Sequence, residues 1–291
     1  MSVSGCSVPT SSEWMTSEHG TIVQETPVGA PVPRFEVPGW REQFGVVAGI
    51  TGRGEEGGRG FDLGLWSDAS IGEVMGHWRA LRRSLPGFCA VMLGHQVHGS
   101  EVARVDSAEG WTHRDGIDGW VSTGRGILLT VTIADCIPIY LTIPGKAIAL
   151  LHAGWRGTAA GILEVGLDRL LGAANAVAGD VVMHCGVGIC GSCYEVGSEV
   201  MTGCGLPTAG PGPWHLDLRR HLAVQAEGLG IGQVSMSSWC SAHDRTLFYS
   251  HRASRGSEGR MVAYLGMAPA LSPRSERGGG ADDVDSAPIR Q

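Results

Sequence analysis

The 291-residue chain is 43% hydrophobic and 18% charged, enough apolar material for one large packed core or two small ones. A formal charge of −7, with Arg carrying nearly all the positive charge and Lys146 the single lysine, argues against a nucleic-acid-binding face, which needs clustered Lys and Arg. No apolar run reaches the roughly 20 residues of a membrane-spanning helix. The start of the chain lacks a basic stretch followed by an apolar one, so the expectation is a cytoplasmic protein. Its eight cysteines are then read as thiols or metal ligands rather than disulfides.

Residues 1–33, rich in Ser, Thr, Pro and Glu and without periodicity, read as a disordered tail, and residues 270–291 as another. The folded region is expected over 34–269. Within it, VMLGHQVHGSEVARV (91–105) suggests a strand, a bend carrying His95 and His98, and a second strand. Positions i and i+3 of an extended chain face opposite sides, so at most one of these histidines faces a common site. ILLTVTI (127–133) and IPIYLTI (137–143) are nearly continuous apolar runs, the mark of strands buried on both faces. PGK then turns the chain into a third strand, AIALL (147–151). Hairpin pairing of the last two strands brings Cys136 and His152 to one sheet edge. A helix should follow, with Leu163, Leu167, Leu170, Leu171 and Ala174 on its apolar face and Thr158 as N-cap. Gly154–Gly157 would then be a strand-to-helix turn where free amides and the Arg156 guanidinium attract an anion.

His98, Cys136 and His152 are ligand types that suit Zn²⁺, and three protein ligands with a free fourth position is the catalytic arrangement. Spacing alone leaves open that each is a buried, hydrogen-bonded side chain. Cys136 with His152 also fits a nucleophile–base pair. Cys190 and Cys193 form a C-x-x-C within HCGVGICGSCYEVG. This stretch is read mainly as a glycine-rich loop, because no partner pair is seen at zinc-ribbon spacing.

Five ordered motifs, GHQVHG, ADCIPI, HAGWRG, CYEVG and FYSHR…GRM, resemble the laccase-domain or polyphenol-oxidase-like family, also described as purine nucleoside phosphorylases and peptidoglycan editing factors. The resemblance runs from about Phe44 to Tyr264. It implies an α/β fold, a single layered sandwich with mixed sheets flanked by helices. It also implies a metal bound by His98, Cys136 and His152, zinc with copper as an alternative occupant. Cys136, His152 and Arg156 become the candidate catalytic residues, and Arg53, Trp155 and Arg156 the candidate substrate contacts. ITGRGEEGG follows the family's S-x-R-x-G-G turn loosely, with Arg53 matched and two residues inserted after it. His251 replaces an aromatic in the family's FFSYR pattern.

The activity implied is phosphorolysis of adenosine, inosine and methylthioadenosine, with adenosine deamination, by a monomer whose partners are purine nucleosides and phosphate. An amidase acting on peptidoglycan precursors through Cys136 and His152 is the alternative. Multicopper oxidation is rejected, since none of the eleven histidines forms an H-x-H pair to feed a trinuclear copper cluster.

Overall fold

A computed structural model of the chain describes residues 16–17, 19–54, 60–67 and 69–269. Two mixed sheets form its centre. In the eight-stranded sheet the order is Thr16–Ser17, Gly20–Val23, Gln233–Ser237, Val182–Cys185, Ile137–Ile143, Ala147–Ala153, Gly119–Ser122 and Val102–Arg104. In the seven-stranded sheet it is Thr26–Val28, Arg34–Glu36, Val46–Thr51, Met261–Met267, Ile127–Ile133, Ala90–His95 and Gly110–Asp115.

The sheets stack face to face. Trp120, Tyr140, Ile148 and Leu150 of the first share a core with Ile50, Leu129, Val131 and Leu265 of the second. Helices Ile162–Ala174 and Leu218–Gly228 cover the outer face of the eight-stranded sheet, meeting Ile137, Ile139, Leu141 and Ile143. Helix Ile71–Ser84 covers the other sheet through Val74, Trp78 and Leu81. The result is a four-layer helix–sheet–sheet–helix sandwich, which explains why the central strands are apolar at successive positions: both faces are buried. Among the described residues, no helix is long and apolar enough to cross a membrane.

Three local details position the site. Ile137–Ile143 and Ala147–Ala153 pair antiparallel through a tight turn, with Pro138 opposite His152, as the expected hairpin requires. Ile127–Ile133 and Ile137–Ile143 belong to different sheets, so residues 134–136 carry the chain from one layer to the other. Asp135 takes a left-handed conformation there, with φ 82°. Ala90–His95 and Ile127–Ile133 run parallel and end at that same end of the sandwich, where the Gln96 side chain clamps the main chain of Thr132 at 2.7 and 2.9 Å.

Two expectations need correction. The segment read as a tail carries strands from Thr16 onward. Glu25 is only 2% exposed, and its carboxylate accepts from His184 Nε2 at 3.0 Å and from the Ser237 hydroxyl at 2.6 Å. Its low periodicity reflects strands of two to four residues, too short to display an alternation. The remainder of that segment, residues 1–15 and 18, and the whole expected tail over 270–291 lie outside the described residues. The second correction concerns Thr158, which is not an N-cap. Two helices follow His152, Trp155–Ala159 and Ile162–Ala174, and the left-handed Gly161 starts the second. Thr158 lies buried inside the first, its hydroxyl donating to the Gly154 carbonyl at 3.0 Å.

Candidate metal centre

His98 follows the strand Ala90–His95, Cys136 ends the crossover between the sheets, and His152 is the penultimate residue of Ala147–Ala153. Their ligand atoms lie within 4.8 Å of one another. The rings of His98 and His152 meet edge to face, with centroids 4.9 Å apart and planes at 73°. His95, by contrast, stacks on Trp66 with centroids 4.4 Å apart, so only one histidine of the H-x-x-H enters the site.

Asp118, just before the strand Gly119–Ser122, organises the cluster and escaped the sequence reading. Its fully buried carboxylate accepts from His152 Nδ1 at 2.9 Å and from the amides of Val97, His98 and Gly99 at 2.8–3.1 Å. One side chain thus fixes one imidazole through its ring and the other through its backbone, where His98 is left-handed at φ 60°. In the neutral ring, a carboxylate facing Nδ1 makes that nitrogen the donor and leaves Nε2 with its lone pair, the tautomer a metal ligand needs.

The electrostatics favour the thiolate. Burial alone would raise the Cys136 thiol, but His152 and then His98 overcome it and bring it down to about 6. Burial likewise works against the His152 imidazolium, and the thiolate together with Asp118 pushes its pKa up to about 9. Burial also opposes the charge of Asp118, yet the His152 and amide hydrogen bonds hold its carboxyl below the ordinary value. Space is restricted as well: a Cβ on Gly154 would stand 3.0 Å from both Cys136 Sγ and His98 Cδ2. Two imidazoles, that of His152 in a defined tautomer, and a thiolate, with ligand atoms within 4.8 Å of one another, fit a zinc-type metal ion.

The other expected site residues are distributed differently. Trp155 is half-buried; it packs beside Gly203, within 3.2 Å of where a Cβ would stand there, and carries the exposed Arg156 guanidinium 4.4 Å from its ring centroid. The helix Trp155–Ala159, whose second residue is Arg156, has only five residues, so the anion attraction expected of a helix start reduces to the guanidinium itself. Arg53 pairs with Glu258 at 2.7 Å and lies over Tyr249, neither of which belongs to the three-ligand group.

Tyr194 and Arg252 are additions. The Arg252 guanidinium lies 5.2 Å from the Tyr194 ring centroid and donates to the Glu195 carbonyl at 2.8 Å, while the Arg252 amide donates to Asp135 at 2.6 Å. Burial and then the Cys136 charge push the Tyr194 phenol up to about 12, against Arg252 and Arg156, so it is a hydroxyl donor beside the thiolate. Both residues sit inside quoted motifs, CYEVG and FYSHR, and that position was the available signal.

A crystal structure of YlmD from Geobacillus stearothermophilus superposes with a TM-score of 0.75 at 29% identity, covering 84% of this chain and 100% of that one. The crystal structure of YfiH from Bacillus licheniformis gives 0.74 at 27%, covering 82% and 97%. In sequence, the purine nucleoside phosphorylase YlmD of G. stearothermophilus is 31% identical over 251 residues, 76% of this chain and 90% of that protein. A purine nucleoside phosphorylase of Deinococcus radiodurans is 35% identical over 184 residues, 60% and 68% of the two chains. The family model described as multi-copper polyphenol oxidoreductase laccase matches residues 48–268, a span that contains His98, Cys136, His152 and Asp118, and the chain belongs to that family.

Proposed function

We propose that the chain is a zinc-dependent purine nucleoside phosphorylase. In this reading it converts adenosine, inosine and S-methyl-5′-thioadenosine, with phosphate, to free base and the corresponding ribose 1-phosphate, and deaminates adenosine at the same site. One observation carries it: a buried carboxylate organises His98, Cys136 and His152 into a ligand set, in a chain whose relatives in G. stearothermophilus and D. radiodurans are named purine nucleoside phosphorylases.

In phosphorolysis the bond between sugar C1′ and the purine nitrogen breaks while a phosphate oxygen bonds to C1′. The base leaves with the electron pair and takes up a proton. His98, Cys136 and His152 would hold a zinc ion, which would supply a Lewis acid suited to an oxyanion or to activating water. Asp118 keeps the His152 tautomer fixed and so holds the ligand set in one arrangement. Arg156, anchored on Trp155, and Arg252, anchored on Tyr194, offer the planar donor forks that bind phosphate. The protonated Tyr194 hydroxyl can donate to a substrate oxygen.

The test is product analysis of zinc-loaded protein given adenosine or inosine, with and without phosphate. Free base and ribose 1-phosphate should form only with phosphate, inosine should form from adenosine without it, and His98→Ala should do neither. Zinc-loaded protein that releases no base from either nucleoside in the presence of phosphate rejects the assignment.

A second reading has its own observation: Cys136, His152 and Asp118 have the order of a nucleophile–base–orienter triad, fit for an amidase. His98 argues for the metal, because a triad leaves a second imidazole on the sulfur without a task.

A further inference from the structure

The C-x-x-C of residues 190–193 does have a partner, on a distant loop: Cys240 and His243 repeat the same two-residue spacing as C-x-x-H. Cys190, Cys193, Cys240 and His243 bring their ligand atoms within 4.8 Å of one another, a group separate from His98, Cys136 and His152. Cys190 Sγ lies 3.6 Å from His243 Nδ1, and Cys193 Sγ lies 3.2 Å from His243 Nε2.

The two loops are already locked in register. Gly188 bridges Cys240, the Ser241 amide donates to the Gly188 carbonyl at 3.0 Å, and the Cys190 amide donates to Cys240 Sγ at 3.3 Å. Each x-x spacing closes a turn, with Cys193 N donating to the Cys190 carbonyl at 3.1 Å and Asp244 N to the Cys240 carbonyl at 2.8 Å. Such turns present two ligands from one short segment, as the halves of zinc ribbons do.

We propose that these four side chains form a second metal site, a closed tetrahedral Cys3His zinc site that staples loop 188–194 to loop 240–244. Three thiolates and one imidazole are a structural zinc complement, leaving no coordination position for substrate. On binding, the three thiol protons are released to solvent. A disulfide between Cys190 and Cys193 would use two of the sulfurs and leave buried Cys240 and the converging His243 unexplained.

The staple also acts on the first centre. Both loops grip Asp135, the residue before Cys136: the Ile189 amide donates to its carbonyl at 2.9 Å, and the Ser241 hydroxyl to its carboxylate at 2.6 Å. A Cβ on Gly188 would stand 2.8 Å from the Asp135 carbonyl oxygen and 3.0 Å from that of Cys136, so the loop lies directly on this crossover. The second site is therefore a positioning element for the Cys136 sulfur.

Metal content per chain decides this by elemental analysis of the full-length protein prepared under reducing conditions and loaded with zinc. Wild type should hold two equivalents, and His98→Ala should keep one. Cobalt loading of His98→Ala should give an intense thiolate-to-cobalt charge-transfer band with tetrahedral visible bands, and the band should fall by about a third in His98→Ala/Cys193→Ser. Chelation of His98→Ala should lower its melting temperature. The exposed His243→Ala change, made in the same background, should weaken zinc retention against a chelator at least tenfold while the protein stays folded. No metal in folded His98→Ala, or a Cys190–Cys193 disulfide in that protein despite reductant and zinc, overturns the proposal. Nucleoside turnover is not read here, so failure of the phosphorylase assignment leaves this result intact.

Discussion

Asp118→Asn isolates the organising role of the buried carboxylate with almost no change in volume. Oδ1 accepts from the His98 amide and His152 Nδ1, and Oδ2 from the amides of Val97 and Gly99. Asparagine has one acceptor oxygen, so two of these four donors would face an NH2 group instead. Hydrogen bonds to a charged acceptor contribute about 1.5 kcal/mol or more each, so the variant should lose roughly 3 kcal/mol of stability. For a domain of this size that is a fall in melting temperature of roughly 6–12 °C. Losing the orienting partner of a metal-binding histidine should also weaken metal binding about 10- to 100-fold. Both quantities can be read in a Cys193→Ser/His243→Ala background, by thermal melting of the metal-free protein and by zinc competition against a chromophoric chelator. Wild-type zinc affinity in Asp118→Asn would refute the view that Asp118 sets the ligand tautomer. Unchanged melting would refute the count of buried bonds.

Three other expectations follow from the same geometry. Iodoacetamide should modify Cys136 in chelated protein but not in zinc-loaded protein; equal modification in both would favour the free nucleophile of an amidase. Gly154→Ala keeps an allowed backbone, at φ −81°, but sets a methyl 3.0 Å from Cys136 Sγ and His98 Cδ2, so zinc affinity should fall at least tenfold with the melting temperature nearly unchanged. Glu258 gives a pH test. Burial opposes its charge, but Arg245, Arg53 and the Ser250 amide hold its carboxyl below the ordinary 4.5. Its contribution is thus present above the unfolded value and is lost as pH falls through the folded one. Melting curves from pH 6 to pH 3 should therefore decline less steeply in Glu258→Gln than in wild type, and parallel declines would contradict the ion-pair account.

Much of the first centre was legible in the chain because it lies on strong local signals. ILLTVTI and IPIYLTI are apolar at successive positions because each strand is buried on both faces, and the PGK turn sets the register that places His152 beside Cys136. The helix after His152 was legible only in its apolar face. Its start was misread because a left-handed glycine, Gly161, rather than a capping threonine, begins it. The strands before residue 34 were missed because two to four residues carry too little periodicity to register.

The sequence by itself determined the buried strands and the central hairpin, since these depend on hydrophobic period and turn chemistry, while the layered class and the candidate ligands His98, Cys136 and His152 followed from the ordered motifs of the family resemblance. Only the tertiary structure decided what crosses between segments. Asp118 joins His98 to His152 from the loop before Gly119–Ser122, Glu25 is buried against His184, and C-x-x-C meets C-x-x-H from a loop far along the chain. Each of these is a contact between residues whose separation has no period, and the closure of two stacked sheets, rather than any local preference, brings them together.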